Sequence, residues 1–193
     1  TASQHTVDEV GQTGPALALY LGVVAPDARS LLEEQLRRSI RQSRNSHISS
    51  GIVGTLYVFY QLAEQGDSDL AYTVATQTDY PGWGYMLSQG ATTVWEQWAG
   101  DKATSGSASH NHPALASVDA WFYRALAGIR PDPAGPGFKR SVIKPEIVGD
   151  LTWAKASYDS IHGRIVSHWT RSGNALTLNA TVPPNTQARV FLP

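Results

Sequence analysis

The chain contains no cysteine in its 193 residues. This absence excludes disulfide bonds, thiolate nucleophiles and thiolate metal sites together. It leaves the cellular compartment open, since it is compatible with export without requiring it. The compartment stays undetermined, and we favour the periplasm or the extracellular space only slightly over the cytoplasm.

The chain also has no large excess of positive or negative charge, and it has no long apolar run. The formal net charge is −1, and Lys and Arg are scattered along the chain, so we expect no nucleic-acid partner and no contact with a membrane surface. No apolar run approaches the roughly 20 residues that a membrane-spanning helix needs. The chain begins with Thr1 rather than Met, and its first five residues do not resemble a signal peptide. We therefore expect that preceding residues have been removed.

The first two thirds of the sequence predict helices joined by short loops. Apolar residues recur at helical spacing in five segments, most of which end at glycine or at cationic residues. The segments are 13–22, 27–41, 48–66, 67–75 and 111–128. The third is so apolar that we expect neighbours on most of its sides. The rhythm of helix pairs suggests a toroid built from hairpins.

Beyond residues 131–137 the apolar period changes from about 3.6 residues to about 2. Alternation over 165–169 and 176–182 predicts antiparallel strands with one solvated face, joined by a turn at 171–174. Residues 189–192 predict a last strand. We therefore predict an α+β chain in two parts, with helices over 1–130, a linker over 131–139 and a small antiparallel β-sandwich over 140–193.

The segment 90–98, Gly-Ala-Thr-Thr-Val-Trp-Glu-Gln-Trp, carries the most informative chemistry. It places the carboxylate of Glu96 between the indoles of Trp95 and Trp98. Tryptophan faces cover the apolar faces of pyranose rings, and a carboxylate beside them can activate a water molecule, so the pattern favours a sugar site. Tryptophans three residues apart are also typical of an ordinary helical core, and this alternative stays open.

Further short motifs are spread over most of the chain. They are Ser50–Thr55, Asp69–Tyr72, Tyr80–Met86, Asn111–Pro113, Leu126–Ile129, Pro136–Phe138, Ile143–Pro145, Gly163–Ile165 and Val182–Asn185. Together with the segment 90–98, and in this order, they resemble the C-terminal part of bacterial α-L-rhamnosidases of glycoside hydrolase family 78. The resemblance implies part of an (α/α)6 catalytic barrel followed by a β-sandwich. It also implies hydrolysis with inversion at the anomeric carbon.

Two polar residues acquire roles from this resemblance. Glu96 is implied to be the general base, the alternative being an ordinary surface glutamate on a helix. His112, in the Asn111-His112 motif, is implied to bind a sugar hydroxyl or to orient the base. A histidine at the start of a helix tends to stay neutral, which suits hydrogen bonding to a hydroxyl. Local capping or packing is the alternative role for His112.

The aromatic residues divide into candidate sugar contacts and core. Trp83, Tyr85 and Trp95 are the candidate contacts, because an aromatic face excludes water from beside the pyranose ring and the methyl group of rhamnose. Each of them is equally compatible with a place in the core. Trp98 and Trp121 are predicted to be core.

The chain does not supply everything that such an enzyme needs. An inverting glycosidase uses two carboxyl groups about 6.5–9.5 Å apart, one as acid and one as base. Only the base is recognisable here, and the resemblance implies that the acid lies upstream of these residues. Five helices also cannot close six hairpins. We therefore expect a C-terminal portion that requires the missing N-terminal part of the enzyme or a second chain, with apolar surface exposed around 13–21 and 52–59.

Two functional hypotheses follow. The leading one is a portion of an inverting glycosidase that removes terminal α-L-rhamnose from glycosides or polysaccharides. The alternative is a non-catalytic carbohydrate-binding or assembly module derived from such an enzyme. A polysaccharide lyase would need a base beside a group that neutralises a uronate, and no such cluster is evident. No metal or other cofactor is expected, because His110 and His112 lack a third ligand at the usual spacing.

Overall fold

The computed structural model describes residues 11–103 and 108–192. The N-terminal residues in which no signal peptide is expected lie outside this range. The described residues form two compact units, one that ends at Val118 and one that begins at Asp119. No described helix is both long enough and apolar enough to span a membrane.

The first unit is built from helices that mostly follow the sequence pattern. In the described part of the chain the α-helices are α1 (Thr13–Leu21), α2 (Pro26–Arg38), α3 (Thr55–Glu64), α4 (Ser68–Ala75), α5 (Trp83–Ser88) and α6 (Val118–Trp121). Helix α1 packs against α2 and α3. Leu19, Leu36, Val58 and Phe59 are fully or almost fully buried where helices of this unit meet. Gly22 ends α1 in the left-handed conformation, with φ of 66°, as the glycine signal predicts.

Helix α3 begins later than predicted. The apolar pattern predicts one helix over 48–66, but α3 starts at Thr55. Just before the predicted segment, Asn45 and Ser46 adopt positive φ angles of 47° and 60°. The Thr55 hydroxyl donates to the Gly51 carbonyl at 2.9 Å. Ser, Asn and Gly cluster in this stretch, and their side chains and conformational freedom compete with helix formation. The spacing of apolar residues alone therefore does not predict that the helix begins as late as Thr55.

Apolar surface is exposed at the end of α1 and in the loop before α3. The exposed fractions are 64% for Leu21, 74% for Val23, 42% for Ile52 and 60% for Val53. Leu21, Ile52 and Val53 lie in the two regions, 13–21 and 52–59, in which exposed apolar surface is expected from the sequence, and Val23 lies just beyond the first.

Ion pairs connect the start of helix α4 to the end of α2 and the turn that follows it. Asp67 occupies the position before α4, yet its side chain makes no capping hydrogen bond. Its carboxylate instead accepts a hydrogen bond from Nε of Arg37 at 2.5 Å and lies 3.5 Å from the guanidinium of Arg41. The cations predicted near the end of the second helix therefore bind a neighbouring element as well as complementing the helix dipole.

The prediction of one long helix over 111–128 is wrong. This stretch contains a 3₁₀ turn at Leu115–Ser117, the short helix α6 and a π-helical turn at Phe122–Leu126. Two side chains donate hydrogen bonds to backbone carbonyls at the end of this stretch. Arg130 donates to the carbonyl of Arg124 at 2.6 Å, and the Trp169 indole donates to the carbonyl of Leu126 at 2.7 Å. These bonds satisfy carbonyls that a longer α-helix would pair internally.

The second unit contains two three-stranded sheets. Their strands are β1 (Ile129–Pro131), β2 (Arg140–Ile143), β3 (Trp153–Ser160), β4 (Gly163–Ser172), β5 (Ala175–Thr181) and β6 (Gln187–Val190), in the orders β1-β2-β6 and β3-β4-β5. A core of Ala127, Ile129, Ile143 and Ile165 is buried in this unit. The predicted fold class, helices followed by a small β domain, is confirmed.

One strand pair of this unit runs in an unexpected direction. The sheet β3-β4-β5 is antiparallel throughout, with the predicted turn at Gly173, whereas β2 and β6 are parallel. Parallel neighbours need a long connection, and here the whole of β3-β4-β5 supplies it.

Replacing Gly128 by alanine should destabilise the chain. Gly128 has φ of 76°, and an added Cβ would lie 2.2 Å from the carbonyl carbon of Lys144. Strain and backbone collision together should lower the free energy of unfolding by about 3 kcal/mol. Denaturant unfolding of the Gly128→Ala variant measures this loss.

Gly173→Ala is the matched control. Gly173 also has a positive φ, of 56°, but nothing lies within 4 Å of its added Cβ. We expect a loss of only about 1 kcal/mol there. Equal losses in the two variants would show that the close approach at Gly128 is unimportant.

Candidate functional site

The loop that carries Glu96 is held by a neighbouring segment rather than by a helix. No helix is assigned to residues 91–99, so the helical spacing of the two tryptophans has no helical basis. The Glu96 amide donates to the Ser109 carbonyl at 2.8 Å, and the His112 amide donates to the Val94 carbonyl at 2.9 Å. The Thr93 hydroxyl donates to a third carbonyl across the same pairing. The two segments therefore align like neighbouring strands.

Ser109 fixes the Glu96 side chain as well as its backbone. The Ser109 amide donates to Oε2 of Glu96 at 2.9 Å, a hydrogen bond to a charged acceptor and thus stronger than a neutral one. The Glu96 side chain is half-buried. The carboxylate is consequently anchored through one oxygen at the edge of the protein surface.

Glu96 lines an open cavity of about 360 Å³, which we call the Glu96 hollow. Its walls are Ser49, Ser50, Gly51, Ile52, Tyr80, Glu96, Gln97, Trp98 and Ala99. Trp98 is 8% exposed, as its prediction as core requires, yet it also borders this hollow. Its indole N–H donates to the Ser50 carbonyl at 2.8 Å, which ties the loop before α3 to the Glu96 loop.

Trp95 and Tyr85 meet at a different cavity, of about 340 Å³. The Trp95 ring is 7% exposed and stacks on the His110 ring, with centroids 4.9 Å apart. The Asp101 carboxylate lies 3.0 Å from Nε2 of His110. Lys102 donates to the Tyr85 hydroxyl at 3.3 Å. Two predicted sugar contacts therefore share one cavity, and the predicted base lines another.

Trp83 lies behind the Glu96 hollow. Its ring contacts Trp98 edge-on, with centroids 4.9 Å apart, and its indole N–H donates to the Leu115 carbonyl at 3.1 Å. Trp83 is not among the residues that line either cavity in the described part of the chain. Its contacts support the wall that Trp98 forms.

His112 is placed by its backbone opposite Val94, one turn before any helical structure. The expectation that it starts a long helix is wrong, because the helical turns that follow are short and begin at Leu115. Nδ1 of His112 accepts a hydrogen bond from the Ala114 amide at 3.3 Å. A neutral ring with this arrangement carries its proton on Nε2. His112 does not line either cavity among the described residues.

The structure also reveals a pair that sequence spacing does not indicate. Nε2 of His47 lies 2.8 Å from Oδ1 of Asp79. Burial lowers the pKa of His47, but hydrogen bonds to Asp79 and to backbone carbonyls outweigh it, so the net change is upward. The hydrogen bond from His47 lowers the pKa of Asp79. Because the two residues are far apart in sequence, no local motif predicts their contact.

No group of three or more acidic or histidine side chains suited to a metal ion occurs among residues 11–103 and 108–192. The site that the described residues build is therefore an anchored carboxylate beside an aromatic wall. Such a site can take a proton from water next to a sugar ring.

Comparisons with known proteins identify the family. Residues 1–126 match the bacterial alpha-L-rhamnosidase 6 hairpin glycosidase domain, and residues 128–193 match the bacterial alpha-L-rhamnosidase C-terminal domain. An alpha-L-rhamnosidase of Streptomyces avermitilis is 34% identical over 95% of this chain and 18% of its own length. One of Formosa agariphila is 33% identical over 94% of this chain and 20% of its own length.

Solved structures agree. The alpha-L-rhamnosidase from Dictyoglumus thermophilum superposes with a TM-score of 0.88 at 39% identity, over 95% of this chain and 20% of that one. The Streptomyces avermitilis enzyme, solved in complex with L-rhamnose, superposes with a TM-score of 0.86 at 32% identity. The match covers 94% of this chain and 18% of that one. This chain thus spans about a fifth of the length of these relatives. It belongs to the bacterial α-L-rhamnosidase family and corresponds to a C-terminal part of its members.

Proposed function

We propose that this chain supplies Glu96 as the general base of an inverting hydrolase for terminal α-L-rhamnose in glycosides or polysaccharides. The observation that carries the proposal is the placement of the Glu96 carboxylate. One oxygen accepts the Ser109 amide at 2.9 Å, and the side chain lines a hollow walled by Tyr80 and Trp98. An anchored carboxylate can activate the attacking water, and an aromatic wall can cover the apolar face of a bound pyranose.

The chemistry assigns one proton transfer to this chain. Glu96 takes a proton from a water molecule while the water oxygen attacks the anomeric carbon from the face opposite the leaving group. A carboxylic acid on the other side of the sugar protonates the departing glycosidic oxygen, and the configuration inverts. We infer that this acid is supplied from outside these 193 residues, by the upstream part of such an enzyme or by a second chain.

The proposed sugar contacts are His112, Trp83, Tyr85 and Trp95. His112 would donate from Nε2 to a sugar hydroxyl, since its Nδ1 accepts the Ala114 amide. Trp95 and Tyr85 offer aromatic surface in the second cavity. Trp83 would act by supporting Trp98, whose ring it contacts edge-on.

Glu96→Gln should abolish most of the hydrolysis of a rhamnoside. The test uses a chimera in which residues 1–193 replace the matching C-terminal segment of the Streptomyces avermitilis enzyme. Glutamine can still accept the Ser109 amide but cannot take a proton, and general base catalysis contributes roughly 10²- to 10⁴-fold. We expect kcat for p-nitrophenyl α-L-rhamnoside to fall by about 100-fold or more.

Glu33→Gln is the control for this variant, because Glu33 lies on α2 in an i,i+4 ion pair with Arg29. Surface pairs of this kind contribute little, so its kcat should equal that of the parent chimera. A Glu96→Gln chimera as active as its parent would eliminate Glu96 as the base. A folded parent chimera that binds L-rhamnose without turnover would support the non-catalytic carbohydrate-binding alternative.

The 193-residue chain alone should show no useful turnover. With the base but no recognisable acid, it lacks one of the two proton transfers that inversion needs. Incubation of the purified chain with p-nitrophenyl α-L-rhamnoside measures this directly, with the active Streptomyces avermitilis enzyme as the positive control. Sustained release of p-nitrophenol that disappears in Glu96→Gln would contradict the expectation that this chain needs a second part for turnover.

A further inference from the structure

His47 is surrounded by hydrogen-bond acceptors. Its Nδ1 lies 3.1 Å from the Arg44 carbonyl and 2.9 Å from the Asn45 carbonyl. Its Nε2 lies 2.8 Å from Oδ1 of Asp79. A neutral imidazole has only one N–H, so one of its nitrogens would face an acceptor with a lone pair. Both nitrogens can donate only when the ring is an imidazolium ion.

The pair places its cation inside and its anion at the surface. The His47 side chain is 9% exposed and that of Asp79 is 74% exposed. Among the described residues, Arg44 and Tyr80 are the charged or titratable groups that line the same cavity as His47, and the ring itself contacts Asp79. Asp79 is the one carboxylate among them, and it compensates the buried charge.

The pair joins two segments that form the Glu96 hollow. Tyr80, Ser49 and Ser50 line the hollow. Asp79 directly precedes Tyr80 in the sequence, and His47 lies shortly before Ser49 and Ser50. A second link between these segments runs from the Gln77 side-chain amide to the Ser46 carbonyl at 3.2 Å.

A buried glutamine holds the same loop from its other side. Gln12 is 1% exposed. It donates to the His47 carbonyl at 2.8 Å and accepts the Ser49 amide at 2.8 Å. Movement of His47 would therefore be transmitted to the wall at Ser49 and Ser50 instead of being absorbed within the loop.

We propose that His47, as an imidazolium ion, and Asp79 are positioning residues that hold Tyr80 against the Ser49–Ser50 segment and so fix the opening of the Glu96 hollow. The consequence for catalysis rests on the proposed function of Glu96. The charge state and its structural effect do not.

The sign of the pH dependence follows from the two pKa shifts. The pKa of His47 is raised, so its contribution is complete below its unfolded value of about 6.5 and is lost as the pH rises through the folded value. The pKa of Asp79 is lowered, so its contribution is complete above about 3.9 and is lost as the pH falls through the folded value. The pair is fully formed between about pH 4 and pH 6.5.

Nitrogen NMR of the 193-residue chain tests the charge state and the positioning together. At pH 6 we expect both ring nitrogens of His47 to be protonated, with a titration midpoint above the ordinary histidine value of about 6.5. Asp79→Asn should lower this midpoint and shift the amide signals of 49–52 and Tyr80. Asp159→Asn is the matched control, since it removes an exposed ion pair with Arg164 in the other unit. An unprotonated ring nitrogen at pH 6, or unchanged amide signals in Asp79→Asn, would overturn the proposal.

Kinetics of the chimera test the catalytic consequence. Asp79→Asn removes the ion pair with His47, and its effect is modest because Asp79 is exposed to solvent. At pH 6 we expect KM for the rhamnoside to rise about two- to fivefold in this variant, while kcat changes less. In the parent, KM should rise as the pH passes the pKa of His47, and Asp79→Asn should show this rise at lower pH. Identical KM and pH profiles would refute positioning. A parent without turnover would refute the proposed function and leave the NMR result standing.

Discussion

The Glu96 hollow depends on one buried hydrogen bond, from the Trp98 indole to the Ser50 carbonyl. It joins two stretches of irregular backbone, the loop before α3 and the loop that carries Glu96. Loss of the indole would leave the Ser50 carbonyl with the longer hydrogen bond from the Thr55 hydroxyl at 3.4 Å, at a cost on the order of 1 kcal/mol. The same ring forms a wall of the hollow, so the group that stabilises the site also shapes it.

Two further sets of hydrogen bonds hold the loops around the site. The Gln12 side chain binds the backbone of His47 and Ser49, and the Ser109 backbone binds both the backbone and the side chain of Glu96. Loops at protein surfaces carry function when a rigid scaffold positions them. Here the buried Gln12 side chain supplies part of that rigidity, and the Ser109 amide holds the Glu96 carboxylate, which lies outside any helix or strand.

The sequence predicts elements whose signals are local. The end of α1 at Gly22, the extent of α4 and the turn at Gly173 all follow from neighbouring residues. The start of α3 does not, because apolar spacing continues through a loop in which polar side chains bind the backbone. The break of the predicted last helix depends on Arg130 and Trp169, which lie beyond it in sequence.

The candidate site likewise contains residues that a local motif predicts and contacts that it does not predict. Glu96 is found from a motif within nine residues, and its role stays a prediction. Tyr80 as a wall, and the contact of His47 with Asp79, arise from residues that are far apart in sequence, so spacing could not reveal them. Trp98 shows that core and wall are compatible roles, since a nearly buried ring can present one edge to a cavity.

The parallel pairing of β2 with β6 affects the order in which the β unit can assemble. Because β3, β4 and β5 lie between these two strands in the sequence, a nascent polypeptide can complete the meander β3-β4-β5 while the other sheet still has an unpaired edge at β2. That sheet closes only after synthesis has passed residues 187–190. A ribosome-bound intermediate would therefore expose the β2 edge to intermolecular pairing for longer than a meander of consecutive hairpins, in which the next strand follows at once.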